Sequence, residues 1–195
     1  MSRIDLPRLL ITTSRRTSNR VRTFARDLSL VLPGTERFNR GGMGLTELAS
    51  RIHQSGAQAA LIISIWRGNP GELTVLSPQG DEILKLRLES ALLRREIDPS
   101  NKGRVGTIEG VGVKSGSSER VWNLARDFAT LLSLNIKEYP DPSESRTEKN
   151  RALLWFEDAP SGKILWTQYN TKDLSEIGPR IRVSSVRRLG ENESE

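Results

Sequence analysis

The sequence predicts an α/β fold made of two related halves. Strand and helix patterns alternate along the chain and do so twice, which is typical of layered α/β proteins. A helical segment also repeats at an offset of 100 residues, because Arg20–Leu32 and Arg120–Leu132 are identical at six of 13 positions. We therefore interpret residues 1–195 as a single domain with an internal duplication, its first half spanning about 7–97 and its second half about 104–190.

The repeated segments predict two helices of similar length. Apolar residues recur three and four positions apart from Val21 in the first copy and from Val121 in the second, which gives each helix one buried face. Serines before each copy are suitable N-caps, and Pro33-Gly34 ends the first helix. Phe24 and Phe128 lie on the buried faces, so we expect both in the core.

Strands are predicted where short β-branched or alternating segments lie between Gly and Pro turns. In the first half these are Leu9–Thr13, Ala59–Trp66, Leu73–Leu76 and Ile83–Leu88. In the second half they are Thr107–Val113, Leu134–Glu138, Leu153–Glu157, Ile164–Tyr169 and Ile181–Val186. Further helices are predicted at Leu45–Gln54 and Glu89–Arg95, a linker at Asp98–Gly103, an exposed loop at Pro140–Asn150 and an acidic tail at Gly190–Glu195.

The composition excludes several kinds of chemistry. With no cysteine, the chain cannot form disulfides, a cysteine-ligated metal site or a cysteine nucleophile. The single histidine, His53, lies at the end of a predicted helix, where it favours a structural role. The glycine clusters lack the spacing of a phosphate-binding loop, and no carboxylates have metal-ligand spacing. We therefore expect no enzyme activity, no catalytic residue, no cofactor and no metal.

Hydropathy gives an expectation about location. The longest apolar runs fall far short of the roughly 20 residues that a membrane helix needs, and the first residues do not resemble a signal peptide. We expect a cytoplasmic, monomeric protein without membrane contact.

Positive charge is concentrated near the start of the chain. The whole chain has 30 Lys and Arg against 24 Asp and Glu, and residues 8–40 contain eight arginines against only Asp27 and Glu36. Arginine is suited to bidentate phosphate contacts, so an arginine-rich stripe is typical of a nucleic-acid binder. A solvated basic surface without a ligand remains the alternative at this point.

The segment Thr12–Arg20 joins a predicted strand to the start of a helix, and a helix N-terminus favours anions. Hydroxyl and guanidinium groups alternate along it. An N-capping loop with solvated arginines is the alternative. The candidate RNA-binding residues are Ser14, Arg15, Arg16, Ser18, Arg20, Arg22, Arg26, Arg37, Asn39 and Arg40. Few aromatics accompany them, with Trp66, Trp122 and Tyr169 as possible stacking platforms, so we expect recognition of backbone and shape more than of base sequence.

Two sequence signatures resemble the Brix-domain proteins of ribosome biogenesis. The first is Leu10–Arg20, which continues through Phe24, Leu28, Leu32-Pro33 and Arg37–Gly41. The second is Glu176–Ile181, followed by Val183, Val186-Arg187 and Gly190, and a hairpin at Arg67–Leu73 lies between them. The first signature is most similar to the family member of the eukaryotic small-subunit processome, and the compact length is similar to the archaeal forms.

The resemblance implies two tandem pseudo-symmetric halves, each similar to the anticodon-binding domain of class IIa aminoacyl-tRNA synthetases. It also implies an assembly factor that binds ribosomal RNA or its precursor and assists its folding, processing or subunit assembly without catalysis. The family's basic block maps onto Arg15, Arg16, Arg20, Arg37 and Arg40. The second half has Val113–Ser115 where the first has Thr13–Arg16, so equal RNA binding by both halves is not expected.

An alternative function is that of a protein–protein interaction module within a ribonucleoprotein assembly complex. The second half is nearly neutral, and its tryptophans Trp122, Trp155 and Trp166 could dock other ribosome assembly factors.

Overall fold

The computed structural model describes residues 7–100 and 104–189, which form one mixed β-sheet with helices on its faces. The strands of these residues are β1 (Leu9–Thr13), β2 (Thr35–Arg37), β3 (Ala59–Trp66), β4 (Asn69–Leu76), β5 (Glu82–Leu92), β6 (Ile108–Lys114), β7 (Ile136–Tyr139), β8 (Ala152–Ala159), β9 (Lys163–Asn170) and β10 (Arg180–Arg188). The α-helices are α1 (Asn19–Val31), α2 (Leu45–Ser55), α3 (Arg94–Ile97) and α4 (Glu119–Leu132). None of the described helices is both long enough and apolar enough to cross a membrane.

The repeated segments are the two longest helices, as predicted. Helix α1 begins after Ser18, whose hydroxyl accepts a hydrogen bond from the backbone N–H of Val21 at 3.2 Å. It ends just before Pro33, a residue that cannot continue a helix. Helix α4 begins after Ser118 and ends at Leu132, and the next residue, Ser133, adopts a left-handed backbone conformation with φ 52°. Local sequence signals therefore account for both ends of α1, whereas the Ser118 hydroxyl before α4 donates to Asp158 and makes no capping bond to the helix.

The strand order in the sheet is β2-β1-β3-β4-β5-β10-β9-β8-β6-β7. At one edge β1 is parallel to β2 and β3, and at the other edge β6 is parallel to β7 and β8. The remaining neighbours are antiparallel, including β5 and β10 in the middle of the sheet. Counted inward from either edge, the five strands of each half stand in the same order: second, first, third, fourth and fifth along that half. The two sets of five strands meet at the β5–β10 pair.

Each half packs its longest helix on the same sheet face. The main core joins α1, α4 and residues from strands of both halves, and Phe24 and Phe128 are fully buried in it, as predicted. On the opposite face, Leu48 and Ile52 of α2 cover Leu10 and Ile62 in a smaller cluster. The mixed α/β class is confirmed, with one large sheet and few helices.

The structure differs from the sequence prediction at two elements. The predicted helix at Glu89–Arg95 is wrong, because residues as far as Leu92 continue β5 and pair with β10, so that only Arg94–Ile97 is helical. The three-residue edge strand β2 was not predicted. The predicted loop at Pro140–Asn150 holds a short 3-10 turn, and Thr147 donates to the carbonyl of Thr171 at 2.9 Å. The last three residues of the predicted linker and the whole tail at Gly190–Glu195 lie outside the described residues.

Candidate nucleic-acid interface

The candidate interface lies at the edge of the sheet where β1 and β3 end. These strands are parallel, so their carboxyl ends lie side by side, and the backbone N–H of Ser14 donates to the carbonyl of Ile63 at 2.8 Å. The chain then runs through residues 14–18 into the N-terminus of α1. The topology thus brings the predicted arginine-rich loop next to the start of a helix, as the sequence suggested.

A cavity of about 420 Å³ opens at this edge, and we call it the basic cavity. It is lined by Thr13, Ser14, Arg15, Thr17, Arg22, Asn39, Arg40 and Gly41. Five of the predicted RNA-binding residues are therefore brought together, although they come from three separate parts of the chain. Three lining residues are arginines and none is a carboxylate, so the lining is suited to an anion.

Arg40 has the most unusual environment in the basic cavity. Arg40 is only 9% exposed, and its Nε donates to the carbonyl of Met43 at 3.0 Å. Burial lowers the pKa of Arg40, and the neighbouring positive charge of Arg15 lowers it further. No carboxylate of a described residue lies within 4.0 Å of either guanidinium. Two like charges thus face one cavity without a described counter-ion, and a bound anion would stabilise both.

The predicted polar ligands take different roles. Ser14 Oγ donates to the carbonyl of Arg16 at 2.5 Å, and Ser18 Oγ donates to the carbonyl of Gly68 at 2.7 Å while capping α1. These hydroxyls stabilise the loop itself. Asn39 is exposed at the cavity, and its amide has no hydrogen-bond partner among the described residues. Thr17, which the sequence analysis did not select, has a buried hydroxyl without a described partner.

Arg20 is held by the protein rather than directed at the cavity. Its guanidinium donates to both carboxylate oxygens of Glu96, at 2.6 and 2.8 Å, and to the carbonyl of Ala91 at 3.1 Å. The hydrogen bond with Glu96 raises the pKa of Arg20 and lowers the pKa of Glu96. Because Glu96 lies 76 residues away in the sequence, no local signal could reveal this pair. We leave Arg20 out of the interface.

The other predicted arginines extend the basic surface beyond the cavity. Arg16, Arg26 and Arg37 are exposed, and no described carboxylate lies within 4.0 Å of their guanidinium groups. Arg26 lies one turn after Arg22 on the outer face of α1, and Arg37 lies on the edge strand β2. None of these three residues lines the basic cavity.

The loop that joins β6 to α4 has a different charge pattern. Lys114 Nζ lies 3.7 Å from a carboxylate oxygen of Glu157, and Ser118 Oγ donates to Asp158 at 2.7 Å. At this end of the second half, carboxylates therefore neutralise the positive charge and accept the hydroxyl hydrogen bond. Unequal RNA binding by the two halves stays a prediction.

The aromatic candidates differ in exposure. Trp66 is 67% exposed, whereas Tyr169 is half-buried with its ring edge-on to Trp155 at 6.1 Å. Trp122 is partly buried, with its ring 5.5 Å from the guanidinium of Arg126. Trp155 and Trp166 are fully buried in the second half, so they cannot contribute to a docking surface for another protein. Of the observations behind the alternative function, Trp122 and the nearly neutral charge of the second half remain.

The described residues contain no group of three or more His, Asp or Glu side chains that could hold a metal ion. His53 lies in the last turn of α2, at the position expected for a structural role, and the N–H of Gly56 donates to its carbonyl at 3.2 Å.

Comparison with known proteins confirms the resemblance to Brix-domain proteins. Over 90 residues the chain is 39% identical to a probable Brix domain-containing ribosomal biogenesis protein of Aeropyrum pernix. The aligned segment covers 44% of this chain and 50% of that protein. Over 92 residues it is 35% identical to a protein of the same description from Pyrococcus abyssi, covering 46% and 41%. It is 27% identical over 199 residues to the bovine U3 small nucleolar ribonucleoprotein protein IMP4, covering 98% and 64%.

The matched part thus spans between 41% and 64% of the length of these relatives. No family model matches the chain. The crystal structure of a probable ribosomal biogenesis protein from Aeropyrum pernix matches with a TM-score of 0.71 at 27% identity, over 90% of this chain and 94% of that one. An archaeal Imp4-like protein matches with a TM-score of 0.64 at 19% identity, over 92% and 99%, and shares the fold.

Proposed function

We propose that this relative of Brix-domain proteins is a ribosome-biogenesis factor that binds ribosomal RNA or its precursor at the basic cavity. It would assist RNA folding, processing or subunit assembly without catalysis of its own. The observation that carries the proposal is the juxtaposition of Arg15 and Arg40 in a cavity without carboxylates. The printed names of the relatives, which concern ribosome biogenesis and the U3 ribonucleoprotein, support the choice of ribosomal RNA.

The arrangement favours contact with the RNA backbone. Arg15, Arg22 and Arg40 would hold phosphate oxygens, and the free amide of Asn39 would donate a further hydrogen bond. The exposed arginines outside the cavity would contact phosphates of the RNA on either side of it. Guanidinium contacts to phosphates position an RNA without reading its bases, so shape would dominate recognition.

The proposed role is that of a binding partner, because the cavity offers cations, hydroxyls and an amide but no general base. We propose that the protein acts as a monomer beside other assembly factors.

We further propose that residues 7–97 and 104–190 arose by duplication and that each half resembles the anticodon-binding domain of class IIa synthetases. The support is the matching order of connections read from the two sheet edges, together with the repeated helical segment.

The proposal is tested by titrating a structured ribosomal RNA fragment at several salt concentrations. Replacing Arg15 and Arg16 with Gln should weaken binding, because each lost phosphate contact should flatten the log–log salt dependence by about 0.7 to 0.9. Circular dichroism should be unchanged, since both side chains are exposed. Labelled precursor RNA should remain intact in the same mixtures, with or without magnesium.

Arg126→Gln is the matched control, because this exposed arginine lies in the second half and pairs with Glu119 at 3.1 Å. It should leave affinity and salt dependence almost unchanged. Equal affinity of the wild type and the Arg15, Arg16 double variant would contradict the proposed interface, and cleavage of the RNA would contradict the non-catalytic role.

A further inference from the structure

We propose that Trp66, at the tip of the β3–β4 hairpin, is a stacking platform for an unpaired base of the RNA whose backbone lies in the basic cavity. This inference rests on the proposed function and makes it more specific, since it predicts a preference for single-stranded segments. Trp66 is 67% exposed, although tryptophan is usually well covered in folded proteins.

The hairpin holds Trp66 in a defined place. Arg67 and Gly68 form the turn with φ values of 47° and 82°, and Ser18 Oγ donates to the carbonyl of Gly68 at 2.7 Å. A Cβ atom added at Gly71 would lie 2.2 Å from the Cβ of Trp66, so only glycine leaves room for the tryptophan across the hairpin. The exposed ring therefore belongs to a tightly packed and anchored turn, which reduces the entropy lost on binding.

The hairpin tip and the basic cavity lie at the same edge of the sheet. Ser14 N–H bonds to Ile63 of β3, and Ser18 bonds to Gly68 five residues further on, so the loop of residues 14–18 runs along the hairpin. A strand whose phosphates contact Arg15 would therefore pass beside Trp66. This continuity between a cationic loop and an exposed indole is the pattern that single-stranded nucleic-acid binders use.

The groove beside Trp66 has the polarity that a nucleotide requires. It is about 460 Å³ in volume and is lined by Trp66, Gly71, Glu72 and Arg87, with Ser64, Ile65, Leu88 and Ser184 completing it. Arg87 is exposed and has no described carboxylate within 4.0 Å, whereas Glu72 lies 3.7 Å from Lys85 Nζ. The guanidinium of Arg67 lies 5.6 Å from the centre of the Trp66 ring, within the range of a cation–π contact.

These surroundings favour a base over a protein side chain. A docking site for a protein partner normally surrounds its aromatic anchor with apolar residues that exclude water. Around Trp66 the groove combines the apolar side chains Ile65 and Leu88 with two serines, a glycine and the charged side chains of Glu72 and Arg87. A nucleotide would use both the exposed indole and a neighbouring guanidinium, because its base stacks on the ring and its phosphate contacts the positive charge.

The test compares Trp66→Ala with the wild type on two probes, an unstructured single-stranded RNA and a duplex RNA of the same length. We expect Trp66→Ala to weaken single-strand binding by roughly fivefold to a hundredfold and to change duplex binding by less than about twofold. Trp66→Phe should retain most of the affinity, since phenylalanine also stacks. Single-stranded RNA should quench the tryptophan fluorescence of the wild type more strongly than that of Trp66→Phe, because the remaining tryptophans lie elsewhere.

The outcomes separate this inference from the function on which it rests. If the wild type binds both RNAs and Trp66→Ala binds them equally well, or loses both to the same degree, stacking is overturned while RNA binding stands. If the wild type binds neither RNA, the proposed function fails. If wild-type protein retains a protein from nuclease-treated extract that Trp66→Ala does not, the tip is a protein contact and the inference is overturned.

Discussion

Individual arginines of the same segment have opposite roles, and the difference comes from their surroundings. Arg20 is bound to Glu96 and stabilises the contact between α1 and α3, whereas Arg40 is buried beside Arg15 without a described counter-ion. A paired guanidinium has little to gain from a phosphate, because binding would first require breaking the existing contact. An unpaired and partly desolvated guanidinium gains most from an anion.

The Arg20–Glu96 pair predicts a pH-dependent stability. Hydrogen bonding to Arg20 lowers the pKa of Glu96. The pair's contribution is therefore present above the unfolded pKa of about 4.3 and is lost as the pH falls through the lower folded pKa. Glu96→Gln should reduce the free energy of unfolding at pH 7 by about 0.5 to 1 kcal/mol, because the pair is partly solvent-screened. Urea unfolding of the wild type and of Glu96→Gln at pH 7 and at about pH 3 measures the stability lost at each pH. This loss should be smaller at the lower pH.

Glu119→Gln provides the comparison, since its pair with Arg126 is more exposed. We expect it to change stability by a few tenths of a kcal/mol at either pH. A Glu96→Gln effect that is equally large at both pH values would show that the side chain acts through packing instead.

The same contrast shows what local sequence could reveal about the site. The run from Thr12 to Arg20 predicted the position of the cationic loop, because strand end, hydroxyls and helix start are all local signals. The sequence could not show that Asn39 and Arg40 close the cavity, that Thr17 lines it, or that Glu96 removes Arg20 from it. These facts depend on contacts between distant segments of the chain.

At the scale of elements, short-range patterns located most helices and strands, and long-range pairing decided the exceptions. Strands β1 and β3 and the ends of α1 follow local patterns closely. Strand β5 extends to Leu92 because β10, which comes much later in the chain, pairs with it through residues that look helical by themselves. Strand β2 is too short to give a periodic signal.

Ser18 connects two elements, which gives a prediction at this scale. It caps α1 and also bonds to the hairpin turn at Gly68. Ser18→Ala should reduce the free energy of unfolding by about 0.5 to 2 kcal/mol, the range for loss of a helix cap. It should also weaken binding of single-stranded RNA, because the Trp66 hairpin would no longer be held against the arginine loop.

Thr23→Ala is the control in the same helix, where the threonine hydroxyl donates only to the carbonyl of Asn19 at 2.9 Å. Its effect on denaturant unfolding should stay within about 0.5 kcal/mol. If Ser18→Ala behaved like Thr23→Ala in both assays, the serine would not be the link between helix and hairpin.

For the whole molecule, the decisive feature is that the two halves share one sheet and one core. Strands β5 and β10 pair along nearly their full length, and Arg8 of the first half donates to the carbonyl of Leu132 at 2.5 Å. Leu132 is the last residue of α4, where a positive charge also interacts favourably with the helix dipole. We therefore expect the halves to unfold together.

Arg8→Gln tests this link between the halves. It should lower the free energy of unfolding by about 1 kcal/mol, because a charged hydrogen bond to a helix end is lost. Arg146→Gln, an exposed arginine without a described side-chain partner, should have almost no effect. With Trp66→Phe added to both variants, the remaining tryptophans all lie in the second half, and their fluorescence should change at the same denaturant concentration as circular dichroism. Two separate transitions would contradict a shared core.

The β5–β10 pairing has a consequence for how the protein is made. During translation the first half leaves the ribosomal exit tunnel with β5 as an open edge, since its partner is the final strand of the described chain. An open edge of eleven residues invites pairing with other nascent chains. The sheet can therefore close only after β10 has left the tunnel, so the nascent first half exposes an unpaired strand while the residues between β5 and β10 are synthesised.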